Sequence, residues 1–322
     1  MIRCVGEMLI DRVSAQPGRD LEAVTQWEDY AGGAPANVAT ALARLGAAAA
    51  FVGCISRDAL GDRLLQVLRD RGVDCQGVQR CDAPTRIVYV VRDASGDRQF
   101  ARFSLPDPGG FADAHLTAAA LSESVLTPAT CLVMGTLGLT YPATGEAMGY
   151  LIQQGKTQGA TLVVDVNWRP VFWPQPETAI AVIEPLLAQA DWIKTSADEA
   201  AELLGSGDPA VLARRFPQAV GIVVTDGDRG CQYWINGYVG TMPAFRVACR
   251  DATGAGDAFL AALIDGLIVR DRAEAAQPLT PDQIESSLAF ASAAGALTTQ
   301  TLGAIAAQPT RAEIHTFLHH RA

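Results

Sequence analysis

Asp251-Ala252-Thr253-Gly254-Ala255-Gly256-Asp257-Ala258-Phe259 stands in the C-terminal third of this 322-residue chain, and Leu260-Ala261-Ala262-Leu263-Ile264 follows directly. Small residues make a turn, and the apolar positions Phe259, Leu263 and Leu267 recur every four residues, so the turn opens into a helix. This leaves the N–H groups of Ala255 and Gly256 free at the positive end of a helix dipole, an arrangement that binds anions. Asp257 then sets a carboxylate in the first helical turn, beside the anion site. A turn that holds a migrating phosphoryl group, next to a carboxylate that accepts the proton of an attacking hydroxyl, suits phosphoryl transfer. Taken alone, Asp257 reads more simply as an ordinary helix-start acid, because acidic first turns are common.

A second glycine-rich segment changes that balance. Ala31-Gly32-Gly33-Ala34-Pro35-Ala36-Asn37-Val38-Ala39 again places small residues ahead of a helix, expected from Asn37 to Leu45 and closed by Gly46. Gly32 and Gly33 let a ligand approach the backbone, and Asn37 offers both a donor and an acceptor to hydroxyl groups. Upstream, Ile2 to Leu9 reads as a strand ending at Asp11, a carboxylate able to accept two hydroxyl hydrogen bonds. Each segment alone has a plainer reading, a tight turn for the glycines and a loop acid for Asp11.

Together they are specific, and along nearly its whole length the chain resembles the ribokinase-like (PfkB) family of sugar kinases. The two signatures stand as Gly32-Gly33-Ala34-Pro35-Ala36-Asn37 and Asp251-Ala252-Thr253-Gly254-Ala255-Gly256-Asp257. Gly6-Glu7-Met8-Leu9-Ile10-Asp11, Asp165-Val166-Asn167-Trp168-Arg169, Val224-Thr225-Asp226-Gly227 and Gly295-Ala296-Leu297-Thr298-Thr299 look most like the fructokinase branch. The resemblance implies a three-layer α/β fold: one ribokinase-like kinase domain over 1–322, with a mostly parallel central sheet and a small discontinuous β lid near 12–30 and 84–104. It implies an ATP-dependent sugar kinase, most simply one that phosphorylates a primary hydroxyl of fructose. A kinase of ribose or 2-keto-3-deoxygluconate, or an inactive kinase-like partner subunit, is the alternative.

Carried over residue by residue, the resemblance makes Asp257 the general base, with the N–H groups of Gly254, Ala255 and Gly256 on the transferred phosphoryl group. An aspartate at a helix N-terminus is expected to be ionised near neutral pH. Asp11, Gly32, Gly33 and Asn37 would bind the sugar, joined by Arg102 and Arg169. ATP would run past Asn167, Lys194, Thr225, Gly227 and Gly230. The family's Asn-x-x-Glu motif organises Mg²⁺ through water; here it reads Ser196-Ala197-Asp198-Glu199, which leaves Glu199 as the acid. A K⁺ site would draw on Asp251 and Thr253 from the turn and on Thr298, Thr301 and Gly303 from a later loop. After the lid hairpin, many fructokinases carry Arg-Asn-Pro-Ser-Ala-Asp where this chain has Arg102-Phe103-Ser104-Leu105-Pro106-Asp107. A homodimer formed through the lid also belongs to the family pattern.

Composition agrees with an ordinary globular protein, 49 % hydrophobic and 19 % charged, which argues against disorder. The net charge of −10, with no Lys/Arg run, argues against nucleic acid as a partner. Seven scattered cysteines form no CxxC, so reduced thiols and a cytoplasmic location are expected. Neither a signal peptide nor a membrane span is expected, since Ile2 to Leu9 is short and carries Arg3 and Glu7.

Apolar strand-like runs at Ala49 to Ile55, Thr130 to Met134, Thr161 to Val166, Trp192 to Thr195 and Gly221 to Thr225 alternate with helical patterns. The helical patterns are Leu60 to Arg71, Thr144 to Gln154, Pro176 to Gln189 and Ala197 to Leu204. This order implies a parallel sheet whose strand ends carry the ligand loops, with Asp11, Asn167, Thr195 and Thr225 placed there. Arg86 to Phe103 alternates around Ser95-Gly96-Asp97 as a hairpin does. Gln277-Pro278-Leu279-Thr280-Pro281 reads as a loop before a final helical pair. A nicotinamide-binding reading of Gly254-Ala255-Gly256 fails, because Phe259 holds the third glycine position and Glu274 falls in a polar loop. A P-loop at Gly155-Lys156-Thr157 fails too, since Gly149 lies one residue too far away.

Overall fold

The computed structural model describes residues 1–93, 98–121, 125, 127, 129–269 and 279–320. The Ser95-Gly96-Asp97 turn, Glu274 and Gln277-Pro278 lie outside them. The first run of the chain is two strands rather than one, β1 (Ile2–Val5) and β2 (Leu9–Ser14). Gly6 breaks it: its φ is 149°, and a Cβ there would stand 2.6 Å from Pro35 Cγ. Asp11 therefore lies inside β2, not at the carboxyl end of a main-sheet strand as expected.

The chain continues through β3 (Trp27–Gly32), α1 (Ala34–Arg44), β4 (Ala49–Ser56), α2 (Ala59–Asp70) and β5 (Asp74–Cys81). It then runs through β6 (Ile87–Arg92), β7 (Arg98–Phe103), β8 (Cys131–Met134), α3 (Pro142–Thr157) and β9 (Thr161–Asp165). Next come α4 (Ala179–Leu187), β10 (Trp192–Ser196), α5 (Ala197–Glu199) with a π turn Ala200–Leu204, α6 (Pro209–Arg215) and β11 (Gly221–Thr225). The series closes with β12 (Cys231–Ile235), β13 (Tyr238–Met242), α7 (Ala255–Leu263), α8 (Pro281–Thr298) and α9 (Arg311–His319). Helix α1 starts three residues earlier than its pattern suggested, because Pro35 fits the first helical turn, where no N–H is needed.

Among the described residues the strands form two sheets. The larger has nine strands in the order β13-β12-β11-β10-β9-β8-β1-β4-β5, parallel from β11 to β5 with an antiparallel edge at β12 and β13. Side chains alternate across it. Val133 and Val163 pack with Phe51 and helices α1, α7 and α8 on one face, while Leu132, Val164 and Ile222 pack with α3 and α4 on the other. The chain winds out from β1 in both directions, so the loops over the carboxyl ends of β1 and its neighbours border a crevice. The second sheet, β3-β2-β6-β7, falls in the segments expected to form a lid, with β2 and β6 parallel at its centre and antiparallel strands outside.

Candidate active site

Gly254 caps α7 in the left-handed conformation, φ 78°, and a Cβ there would lie 2.6 Å from that of Ala304, so the turn tolerates glycine alone. The Ala255 N–H is not free as expected: it donates to the Ala252 carbonyl at 3.2 Å. The Gly254 and Gly256 amides are the donors that the local geometry leaves for an anion. Asp257, in the first turn of α7, accepts a 2.8 Å hydrogen bond from Asn37 Nδ2. That one contact joins the two glycine-rich segments. Asn37 is itself fixed from below, because Gln308 Nε2 donates to its carbonyl at 2.8 Å and to Thr40 Oγ1 at 3.1 Å. Its Oδ1 is buried and has no hydrogen-bond partner among the described residues.

A helix N-terminus favours the Asp257 anion, and burial acts against it. Burial pushes its carboxyl up; Lys194, the Asn37 amide and Arg169 pull it down without cancelling the rise. Lys194 was expected along ATP. Its ammonium is buried beside the anion turn, where a Cβ on Gly256 would come within 3.0 Å of Nζ. Lys194 Nζ donates to both oxygens of Asp165, at 3.0 and 3.1 Å. Burial works against the Lys194 charge, but Asp165, Glu199 and Asp257 outweigh it and leave the ammonium more basic than usual. Burial also raises Asp165, to about 6, against the pull of Lys194.

Glu199 is buried and follows Ser196 in a capping box: its N–H donates to Ser196 Oγ at 3.2 Å, and its Oε2 accepts from the Ser196 N–H at 2.9 Å. Serine in the motif's asparagine position therefore starts α5. Arg169 Nη1 reaches Glu199 Oε1 at 2.6 Å, which ties one expected sugar contact to the expected Mg²⁺ acid. Burial disfavours ionised Glu199, but Lys194, Arg169 and the Ser196 N–H hold it below the usual carboxylate range.

On the side of the smaller sheet, Asp11 packs against Gly32, where a Cβ would meet Asp11 Oδ2 at 2.7 Å. Gly33 has φ 105°, and a Cβ there would strike the Glu7 carbonyl oxygen at 2.6 Å. Arg102 is exposed on β7, with its guanidinium 5.0 Å from the centre of the Tyr89 ring. Two groups near this region escaped sequence reasoning. Arg86 is buried just before β6, bonded through Nε and Nη2 to Asp113 at 2.7 and 2.8 Å and through Nη2 to the Tyr141 hydroxyl at 2.9 Å. The rings of Phe103, Phe111, Tyr141 and Phe172 surround it at 4.5–5.4 Å. Glu7 accepts the Ala34 N–H at 3.1 Å, and its position in Gly6-Glu7-Met8 was the signal that could have singled it out.

Asn167 takes φ 40°, rare for a residue with a side chain, two residues after the end of β9. Thr225 ends β11 and its hydroxyl donates to the Thr195 carbonyl at 3.3 Å; Gly227 and Gly230 both have positive φ, in the turn that follows. Of the expected K⁺ residues, three converge. Asp251 Oδ1 accepts from the Thr253 N–H and hydroxyl at 3.1 and 2.7 Å, and Oδ2 accepts from the Gly303 N–H at 2.8 Å. The Thr298 hydroxyl turns back to the Ala294 carbonyl at 2.9 Å, and Thr301 is exposed.

These features can be set beside known proteins. The model of the pfkB family carbohydrate kinases matches residues 1–311. The chain belongs to that family. As a PfkB carbohydrate kinase it is a sugar phosphotransferase, and its curated relatives share that character. Fructokinase-1 of Zea mays is 37 % identical over 313 residues, covering 96 % of this chain and 94 % of the relative. Among solved structures, fructokinase with bound ATP from Xylella fastidiosa superposes with a TM-score of 0.88 at 30 % identity, covering 99 % of this chain and 98 % of that one. A fructokinase double mutant from Vibrio cholerae O395 in fructose-, ADP- and potassium-bound form gives 0.83 at 26 % identity, covering 98 % and 97 %.

Proposed function

We propose that this PfkB kinase transfers the γ-phosphoryl group of ATP to the primary hydroxyl of fructose at the position that yields fructose 6-phosphate. The observation that carries the reading is the 2.8 Å bond between Asn37 Nδ2 and Asp257, which sets the expected base against the sugar-side glycine turn. The sugar oxygen forms a bond to the γ-phosphorus as the bond to the bridging oxygen of ADP breaks, and the hydroxyl proton passes to Asp257. Gly254 and Gly256 amides face the charge on the moving group, and the Lys194 ammonium lies beside them. Asp11, Gly33 and Asn37 take the sugar hydroxyls, while ATP follows Asn167, Thr225, Gly227 and Gly230.

Mg²⁺ suits the buried, ionised Glu199, an oxygen anion that would hold it through water while the ion neutralises phosphate charge. The oxygens of Asp251 and Thr253 suit a monovalent cation that would stiffen the anion turn. The test is ATP turnover with fructose, ribose, adenosine and 2-keto-3-deoxygluconate. Highest kcat/KM with fructose is expected; a higher value for another sugar overturns the fructose assignment, and turnover of none overturns the kinase reading in favour of a partner subunit. The altered stretch Phe103 to Pro106 makes the sugar acid the comparison that matters most.

A further inference from the structure

Glu7 stands between the two sheets, in the turn that leaves β1 for β2, and is 5 % exposed. Its Oε1 accepts the Ala34 N–H at 3.1 Å, the amide that begins α1 immediately after Gly33. Its Oε2 is buried and has no hydrogen-bond partner among the described residues. The backbone of Glu7 also supports Gly33 directly, since its carbonyl oxygen fills the space a Cβ would need. The same short stretch thus fixes Gly33, Ala34 and, one helical turn on, Asn37, whose N–H donates to the Gly33 carbonyl at 2.8 Å.

We propose that Glu7 is a positioning residue for phosphoryl transfer, holding the start of α1 so that Gly33 faces the sugar and Asn37 reaches Asp257. Two charged groups from separate elements act on its carboxyl, Asp113 from the turn after β7 and Asp257 from α7, and Glu7 in turn raises Tyr141 ahead of α3. Arg86, which joins this cluster through Asp113 and Tyr141, is committed to Asp113. Burial first, then the two aspartates, push Glu7 up to about 8, against the amides of Glu7 and Ala34. It therefore works as the neutral acid at pH 7, and ionisation places an uncompensated charge under the sugar loop.

The activity arm of the test rests on the kinase reading; two other arms do not. Glu7→Leu removes the acceptor and is expected to lower kcat/KM for the sugar at least tenfold, with faster amide exchange over residues 32–38. Glu7→Gln keeps an acceptor and is expected to recover most of that loss and the slow exchange. It should also abolish a fall in kcat/KM that the parent enzyme shows above pH about 8. Stability gives the remaining sign. The folded protein keeps a proton that the unfolded chain releases near pH ~4.3, so raising the pH from 5 to 8 favours unfolding of the parent protein relative to Glu7→Gln. The melting-temperature gap should therefore widen in favour of Glu7→Gln across that range. An unchanged alkaline limb with a constant gap overturns the proposal, as does unaltered exchange over 32–38 in Glu7→Leu. If Glu7→Leu does not fold, the Glu7→Gln measurements decide. A parent protein that phosphorylates no sugar sinks the kinase reading alone, because exchange and melting still judge Glu7.

Discussion

Asp257→Asn exchanges one oxygen for an amide group at nearly constant volume, yet it removes the group proposed to take the hydroxyl proton. Loss of a positioned base costs roughly three orders of magnitude in kcat, with sugar KM nearly unmoved. A variant retaining a tenth of the kcat would remove Asp257 from that role. The same residue sets the acid side of the pH profile. Its carboxyl must be ionised to accept the proton, and burial pushes it above the ordinary aspartate value, so kcat falls on acidification sooner than for an exposed aspartate. Asp165, raised to about 6, and Glu199 share Lys194 with it, so the acid limb belongs to the group. Lys194→Met should move that limb to higher pH, because it removes the charge that draws all three carboxyls down; a limb that stays in place would show that Lys194 is electrostatically remote from the base.

At the scale of elements, the start of α1 is tightly constrained backbone in the turn proposed to bind the sugar. Gly33→Ala must carry a Cβ at φ 105° against the Glu7 carbonyl, a strain of roughly 1–3 kcal/mol that can be relieved only by moving α1. Sugar KM should rise about five- to 140-fold by that arithmetic, with ATP KM little changed. Equal shifts in both constants would point to general unfolding instead. This element also shows where sequence reading succeeds. Small residues before an apolar period announce a helix start and its dipole, so both glycine-rich segments, Asn37 and Asp257 were legible from local chemistry. What failed depends on contacts between distant segments. The break at Gly6 is made by Pro35, and the rise of the Asp257 carboxyl is set by burial under the finished fold. Arg86 and Asp113 carry no local motif and meet only in the finished fold.

Taken as a whole, the molecule ties the start of β6 to the turn at Asp113 through that buried ion pair, whose side chains are 0 % and 1 % exposed. Asp113→Ala leaves the guanidinium buried without its carboxylate and should cost about 3–5 kcal/mol of stability, read by denaturant unfolding. A loss below about 1 kcal/mol would mean that water reaches Arg86. Potassium should act differently, raising kcat more than sugar KM when it replaces sodium, because a cation at Asp251 would stiffen the turn without touching the sugar. Equal rates in potassium, sodium and a bulky organic cation would exclude such an effect. The smaller sheet's central pairing has a further consequence, for the order of events when the chain folds. Ile10 lies beside Ile87 in a parallel ladder, and α1, β4, α2 and β5 occupy the chain between them. Neither outer hairpin can bring β2 to β6; that closure waits until β4 and β5 have formed beside β1 and carried the chain back. In a pulse-labelling experiment, amides of β1 and β4 should gain protection before those of β2 and β6, so the smaller sheet closes after the centre of the larger one.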